Sequence, residues 1–262
     1  MRRIADGREL LQRMGPDASH GNLRRSPPGP PAMSCNAARR TFALVLAASC
    51  LMITGCCEIP RHKAGITDLP VVTEKRLQLT GDYCRVHYGL DGYTLKDPRM
   101  IVVHYTAAPT LQESYEFFRP SELQAVRTDI RSGGELNVTA HYLVDKDGAI
   151  YRLAPENVVC RHTIGFNHVA LGIENVGADS DDLTEAQIAA DAMLIHDLAT
   201  RYPTLEYLIG HHEYMDASLP HFTLFRELDP GYRPTVKIDP GPAFMKRLRS
   251  VLLENYGIRL KE

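Results

Sequence analysis

The sequence contains no tryptophan, so any aromatic stacking wall must be built from its 12 tyrosines and 7 phenylalanines. A basic excess is also missing. The 30 lysines and arginines face 32 aspartates and glutamates, and a formal net charge of −2 argues against a general nucleic-acid binder. Cysteine is sparse: 6 residues with no C-x-x-C pair are too few for a disulfide scaffold and lack the spacing of a structural zinc knot. The apolar run Thr41–Thr54 is of signal-peptide length and too short for a comfortable membrane span. No internal repeat is visible. What is present, 44% hydrophobic and 24% charged residues, is ordinary for a soluble globular protein, and 262 residues hold one large domain or two small ones.

The N-terminal quarter reads as export machinery. Residues 1–32, rich in Pro, Gly and Arg and ending in SPPGPPA, read as a disordered tail or as a stretch upstream of a true start at Met33. Arg39 and Arg40 form a positive n-region before the apolar run, and Ile53-Thr54-Gly55-Cys56 resembles the lipobox of bacterial lipoproteins. In such signals the cysteine is acylated and becomes the mature N-terminus. Residues 33–55 are therefore expected to be a lipoprotein signal peptide, with an uncleaved membrane anchor as the alternative, and Cys56 to carry a lipid anchor. Residues 56–98 read as a tether and N-terminal flap, with a strand near Tyr83–Tyr88. Cys84 and Cys160 are a candidate pair in an oxidising compartment.

Residues 99–262 carry the periodicity of a folded domain. Ile101–Val103 is a β-branched run suited to a buried strand. Thr110–Arg131 predicts one or two helices broken near Pro120. Val138–Val144 and Ala149–Leu153, joined by Asp145-Lys146-Asp147-Gly148, predict a hairpin. Leu171–Val176 and Leu205–Ile209 are further strands. Thr184 with Gln187 makes a capping box for a helix whose apolar face includes Ile188, Ala192, Ile195 and Leu198. Pro242 opens and Gly257 closes a last helix. Strands interleaved with helices and one hairpin imply a single α/β domain, a mixed central sheet flanked by helices.

Three stretches place chemistry at element ends. Met100–Thr106 (MIVVHYT) puts His104 where a core strand meets solvent, and Leu205–His211 (LEYLIGH) repeats the pattern. Lys237–Phe244 (KIDPGPAF) sets Asp239 just before a helix start. Two histidines and an aspartate suit a catalytic zinc site with one open position. Glu174 lies in an otherwise apolar strand, where a charge is costly to bury without a partner.

Five ordered motifs, IVVHYT, TAHYLVDKDGAIYRL, RHTIGFN with LGIENVG, IGHHEY and KIDPGPAF, resemble the zinc-dependent N-acetylmuramoyl-L-alanine amidases of the type 2 family, relatives of the peptidoglycan recognition proteins. The likeness covers about Arg99–Tyr256. It implies Zn2+ held by His104, His211 and Asp239, Glu174 as the catalytic acid–base, and Lys237 steadying the oxyanion. It further implies that His162 and Asn167 line the substrate cleft. His211 is preferred to His212 because it directly follows the glycine of the strand-end GH. Asp239 is preferred to Asp229 because it alone has a lysine two residues before it and PAF after it. The loop between His211 and Asp239 is longer than in compact relatives and also holds Asp216, His221 and a second Asp-Pro-Gly at Asp229–Gly231.

Two departures stand out. Arg161 precedes His162 where the usual pattern has tryptophan, and Ala140 stands before His141 where some relatives place a catalytic tyrosine. His141 is expected to be structural or to support the metal ligands. The resemblance implies hydrolysis of the amide between N-acetylmuramic acid and L-alanine, with peptidoglycan or muropeptides as partner. With the lipobox, it implies a lipid-anchored protein of the cell envelope, on the periplasmic face of an outer membrane. The alternative is a catalytically inactive peptidoglycan-binding module of the same fold, from which the retained His, His and Asp distinguish this chain.

Overall fold

The computed structural model describes residues 65–262, so the n-region, the apolar run, the lipobox and Cys56 lie outside the described residues. Six strands form one mixed sheet: β1 (Thr67–Asp68), β2 (Met100–Tyr105), β3 (Tyr142–Val144), β4 (Ile150–Arg152), β5 (Ala170–Asn175) and β6 (Tyr207–Gly210). Their order is β1-β4-β3-β5-β2-β6, and only the β3–β4 pair is antiparallel. Among the described residues four α-helices flank it: α1 (Glu74–Tyr88), α2 (Leu111–Phe118), α3 (Glu185–Arg201) and α4 (Pro242–Tyr256). This is the α/β architecture that the residue pattern predicts.

β2 and β5 form the centre. Met100, Ile101, Val102 and Val103 have no exposure, because a parallel strand with neighbours on both edges and cover on both faces reads as a continuous apolar run. The hairpin forms as predicted: Asp145 and Gly148 close the turn, and Gly148 adopts a φ of 85°, open to glycine at no steric cost. Thr184 and Gln187 cap α3 reciprocally, and the Gln187 carboxamide continues into the sheet, donating to the carbonyls of Val144 (3.2 Å) and Val176 (2.9 Å). α4 packs on α3 and ends at Gly257 in the left-handed region.

Two expectations change and one is narrowed. The segment near Tyr83–Tyr88 is the last part of α1, not a strand. Its buried residues Tyr83, Cys84, His87 and Tyr88 recur at helical spacing, Thr73 caps the start and Gly89 the end. The expectation of one or two helices broken near Pro120 resolves to one helix in Thr110–Arg131. α2 stops at Phe118, and beyond Pro120 the chain is loop apart from a short 3-10 turn at Arg131–Gly133. Cys84 and Cys160 are both free and buried, and burial pushes both thiols up to about 12.

Candidate functional site

Strand register builds the site. In the parallel part of the sheet His104 pairs with Glu174 on one side, and Val103 pairs with Gly210 on the other. The residue after Gly210 is His211, so three adjacent strand ends present Glu174, His104 and His211 in a row. Asp239 arrives from the loop before α4. That loop is docked by the next histidine: the His212 backbone N–H donates to the Asp239 carbonyl (2.8 Å), and His212 Nδ1 lies 3.2 Å from the same oxygen.

The ring nitrogens His104 Nδ1 and His211 Nδ1 are 3.0 Å apart, and Asp239 Oδ2 lies 3.1 Å from the first and 3.0 Å from the second. A tetrahedral zinc ion with bonds of about 2.0–2.1 Å keeps its donors roughly 3.3 Å apart, so this near-equilateral triangle fits such an ion. Two imidazoles and a carboxylate are also the donor chemistry of a three-ligand zinc site. Burial pushes the Asp239 carboxyl up, but contact with His211 and His104 outweighs it and holds the group well below the usual carboxylate range. Burial, reinforced by His104, lowers His211 to about 4, leaving a neutral imidazole with a lone pair to offer. Asp229, the alternative carboxylate, instead accepts the Gly231 backbone N–H in its own turn (2.8 Å). Asp216 accepts from Ser218, and His221 faces the Tyr214 carbonyl, so neither joins the cluster.

The far nitrogen of His104 is also engaged. Its Nε2 lies 3.1 Å from His162 Nδ1 and 3.4 Å from Thr163 Oγ1, contacts that set the ring's orientation and leave Nδ1 facing the cluster. Burial, with His104 next, lowers His162 well below the ordinary histidine value, so it is neutral. Thr163 was not signalled by the sequence: a threonine beside a histidine has no distinguishing pattern.

Glu174 is 9% exposed, and its Oε2 is buried without a hydrogen-bond partner. Burial raises its carboxyl to about 7, opposed by His104. Lys237 is half-buried and lines the same cleft of about 560 Å³ with His104, His162, Glu174, His211 and Asp239. Arg127 and Asp129, paired at 3.1 Å on the loop after α2, line the cleft as well.

Asn167 is not at the cleft surface. It has no exposure, its Oδ1 accepts the N–H groups of His162 (2.9 Å) and Thr163 (2.7 Å), and its Nδ2 donates to Tyr83 Oη (3.1 Å). It shapes the loop that aims His162, because a single buried carboxamide can satisfy two otherwise unpaired N–H groups. His141 is likewise structural. It accepts the Gly172 N–H (3.0 Å), donates to the Val158 carbonyl (2.9 Å), and burial lowers it to about 4. Arg161, at the position where the usual pattern has tryptophan, is 1% exposed and spends its guanidinium on the carbonyls of Ile130 and Leu136.

The profile of the family described as N-acetylmuramoyl-L-alanine amidase (Amidase_2) matches residues 94–242. Peptidoglycan recognition protein 3 of Mus musculus is 28% identical over 131 residues, covering 48% of this chain but only 37% of the mouse protein. The endolysin of Escherichia phage T7 is 28% identical over 117 residues, 41% of this chain and 77% of the phage protein. Among solved structures, human PGRP-IBETAC in complex with glycosamyl muramyl pentapeptide is similar at 20% identity, with a TM-score of 0.41 over 63% of this chain and 86% of that one.

Proposed function

The chain belongs to the N-acetylmuramoyl-L-alanine amidase family, and from that premise we propose that it hydrolyses the amide between N-acetylmuramic acid and L-alanine in peptidoglycan or muropeptides. The observation that carries the reading is the coincidence of a metal-fitting His104–His211–Asp239 triangle with a buried, unpartnered carboxylate one strand away. A pure binding module needs neither.

His104, His211 and Asp239 would hold zinc. Bound there, zinc supplies a Lewis acid that polarises the scissile carbonyl and activates water at neutral pH. Glu174 Oε2 is the atom that takes the proton from the attacking water and returns it to the leaving amine. Its carboxylate lines the cleft with that oxygen unpartnered, so it is free to take and return a proton. Lys237 sets a fixed positive charge in the cleft, suited to an oxygen that becomes negative in the tetrahedral state. His162 and Thr163 hold the His104 ring, and His212 holds the Asp239 loop.

The chain would act at the cell wall as a lipoprotein anchored through Cys56 on the periplasmic face of an outer membrane. Mass spectrometry of purified wall fragments incubated with the mature chain tests the reaction. Stem peptides with a free L-alanine amine, and glycans with free lactyl carboxylates, are the expected products. Tight fragment binding by a zinc-loaded protein that releases neither would favour the binding module.

A further inference from the structure

The loop between α2 and β3 has little ladder of its own, yet basic side chains reach many of its carbonyls. Arg76 of α1, 1% exposed, donates to the carbonyls of Phe118 (2.6 Å), Pro120 (2.5 Å) and Asn137 (3.3 Å). Arg161 donates to those of Ile130 (2.6 Å), Gly134 (3.1 Å) and Leu136 (2.6 Å). His87 of α1 places Nε2 3.2 Å from the Gly133 carbonyl. Among the described residues Arg76 bonds only carbonyls, Arg161 bonds carbonyls and the Tyr232 phenol, and neither bonds a carboxylate. A buried cation without a counter-ion is expensive, so two of them directed at one irregular segment mark that segment's shape as important.

The loop that carries Lys237 is tied to the same place. Tyr232, on the long loop that also carries Lys237 and Asp239, accepts from Arg161 at 3.0 Å and sets its ring 5.0 Å from that of His87. Glu227 of that loop meets His87 Nδ1 at 2.8 Å. The junction is full: a Cβ added at Gly133 would lie 2.5 Å from both Arg161 Nη2 and the Tyr232 ring. One wall so held brings Arg127 and Asp129 to the cleft, and the other brings Lys237.

α1 ends at Tyr88, before residue 94 where the family match begins. We infer that α1 is nonetheless a working part of the site, Arg76 and His87 acting with Arg161 as a brace that sets the spacing of the two cleft walls. These three are positioning residues, since they reach substrate only through the loops they hold. The inference takes from the amidase reading only the identity of the substrate, a muropeptide.

Arg76→Met and Arg161→Met keep buried apolar length but remove the N–H groups. In full-length, zinc-loaded protein, hydrogen exchange of residues 119–137 is expected to quicken about tenfold or more, while β2 and β5 stay protected and zinc content is unchanged. KM for a muropeptide should rise roughly tenfold with kcat falling by less than about threefold, and Arg161→Lys should recover part of the loss. Exchange that quickens equally throughout, or a loop that stays protected, overturns the brace. If either variant fails to fold, Tyr232→Phe removes only the hydroxyl, and the same local pattern in weaker form is required. Should the wild type cleave nothing, the amidase reading fails by itself, while the exchange pattern and the muropeptide Kd still decide the brace.

Discussion

At the scale of single residues, the proposed chemistry rests on two groups and each has a separable test. Purified protein should hold about one zinc, as a single three-ligand site requires. His104→Ala, His211→Ala and Asp239→Ala should each strip most of it in elemental analysis, whereas Asp229→Ala should not. Metal lost from the Asp229 variant and kept by the Asp239 variant would move the carboxylate ligand to the rival turn. Glu174→Gln keeps size and hydrogen-bonding capacity but removes the basic carboxylate. Zinc content and thermal unfolding should then match the wild type while turnover falls by about 10²- to 10⁴-fold. Full turnover in that folded, zinc-loaded variant would remove Glu174 from the mechanism. Loss of stability with activity retained per folded molecule would make it structural instead.

At the scale of elements, the contact between α3 and β5 yields a pH dependence. Asp191 on α3 has no exposure, and its Oδ2 accepts the Asn175 Nδ2–H at 2.9 Å. Asn175 also reaches the His104 carbonyl at 3.4 Å, so the pair steadies the strand ends beneath the site. Burial pushes the Asp191 carboxyl up to about 7, only partly opposed by Asn175. In the unfolded chain the same group titrates near pH 4. Between those values the unfolded state gives up a proton that the folded state keeps. The contribution is therefore full below about pH 4 and is lost as pH rises to about 7. Asp191→Asn can still accept from Asn175 but does not titrate. Its stability relative to wild type should rise across that window by up to roughly 4 kcal/mol, the equivalent of about three pKa units. Denaturant midpoints at pH 4, 5.5, 7 and 8 measure the difference. Parallel curves for the two proteins would show that Asp191 is not the buried acid responsible.

At the scale of the whole molecule, the folded domain and the export signal make independent demands. Expression from Met33 in a bacterial host with an outer membrane should give a membrane-associated, acylated product, and Cys56→Ala should abolish labelling by a radioactive fatty acid. An intact 262-residue chain found soluble in the cytoplasm would refute the anchor. Within the domain, the central strands, the hairpin, the capped α3 and the Pro-to-Gly span of α4 were legible because each is set by local periodicity and turn chemistry. The candidate ligands were legible because histidine and aspartate at element ends follow short motifs. By itself the sequence determined which residue types stand at which strand ends. Only the tertiary structure decided that His104, His211 and Asp239 meet within 4.8 Å, because β2 and β6 are neighbours in the sheet but far apart in the chain. It also decided that Asn167 and Arg161 face inward and that α1 is a helix bonded to the cleft walls. Those outcomes depend on which buried N–H and carbonyl groups lack partners once the sheet has closed, and no local pattern records that.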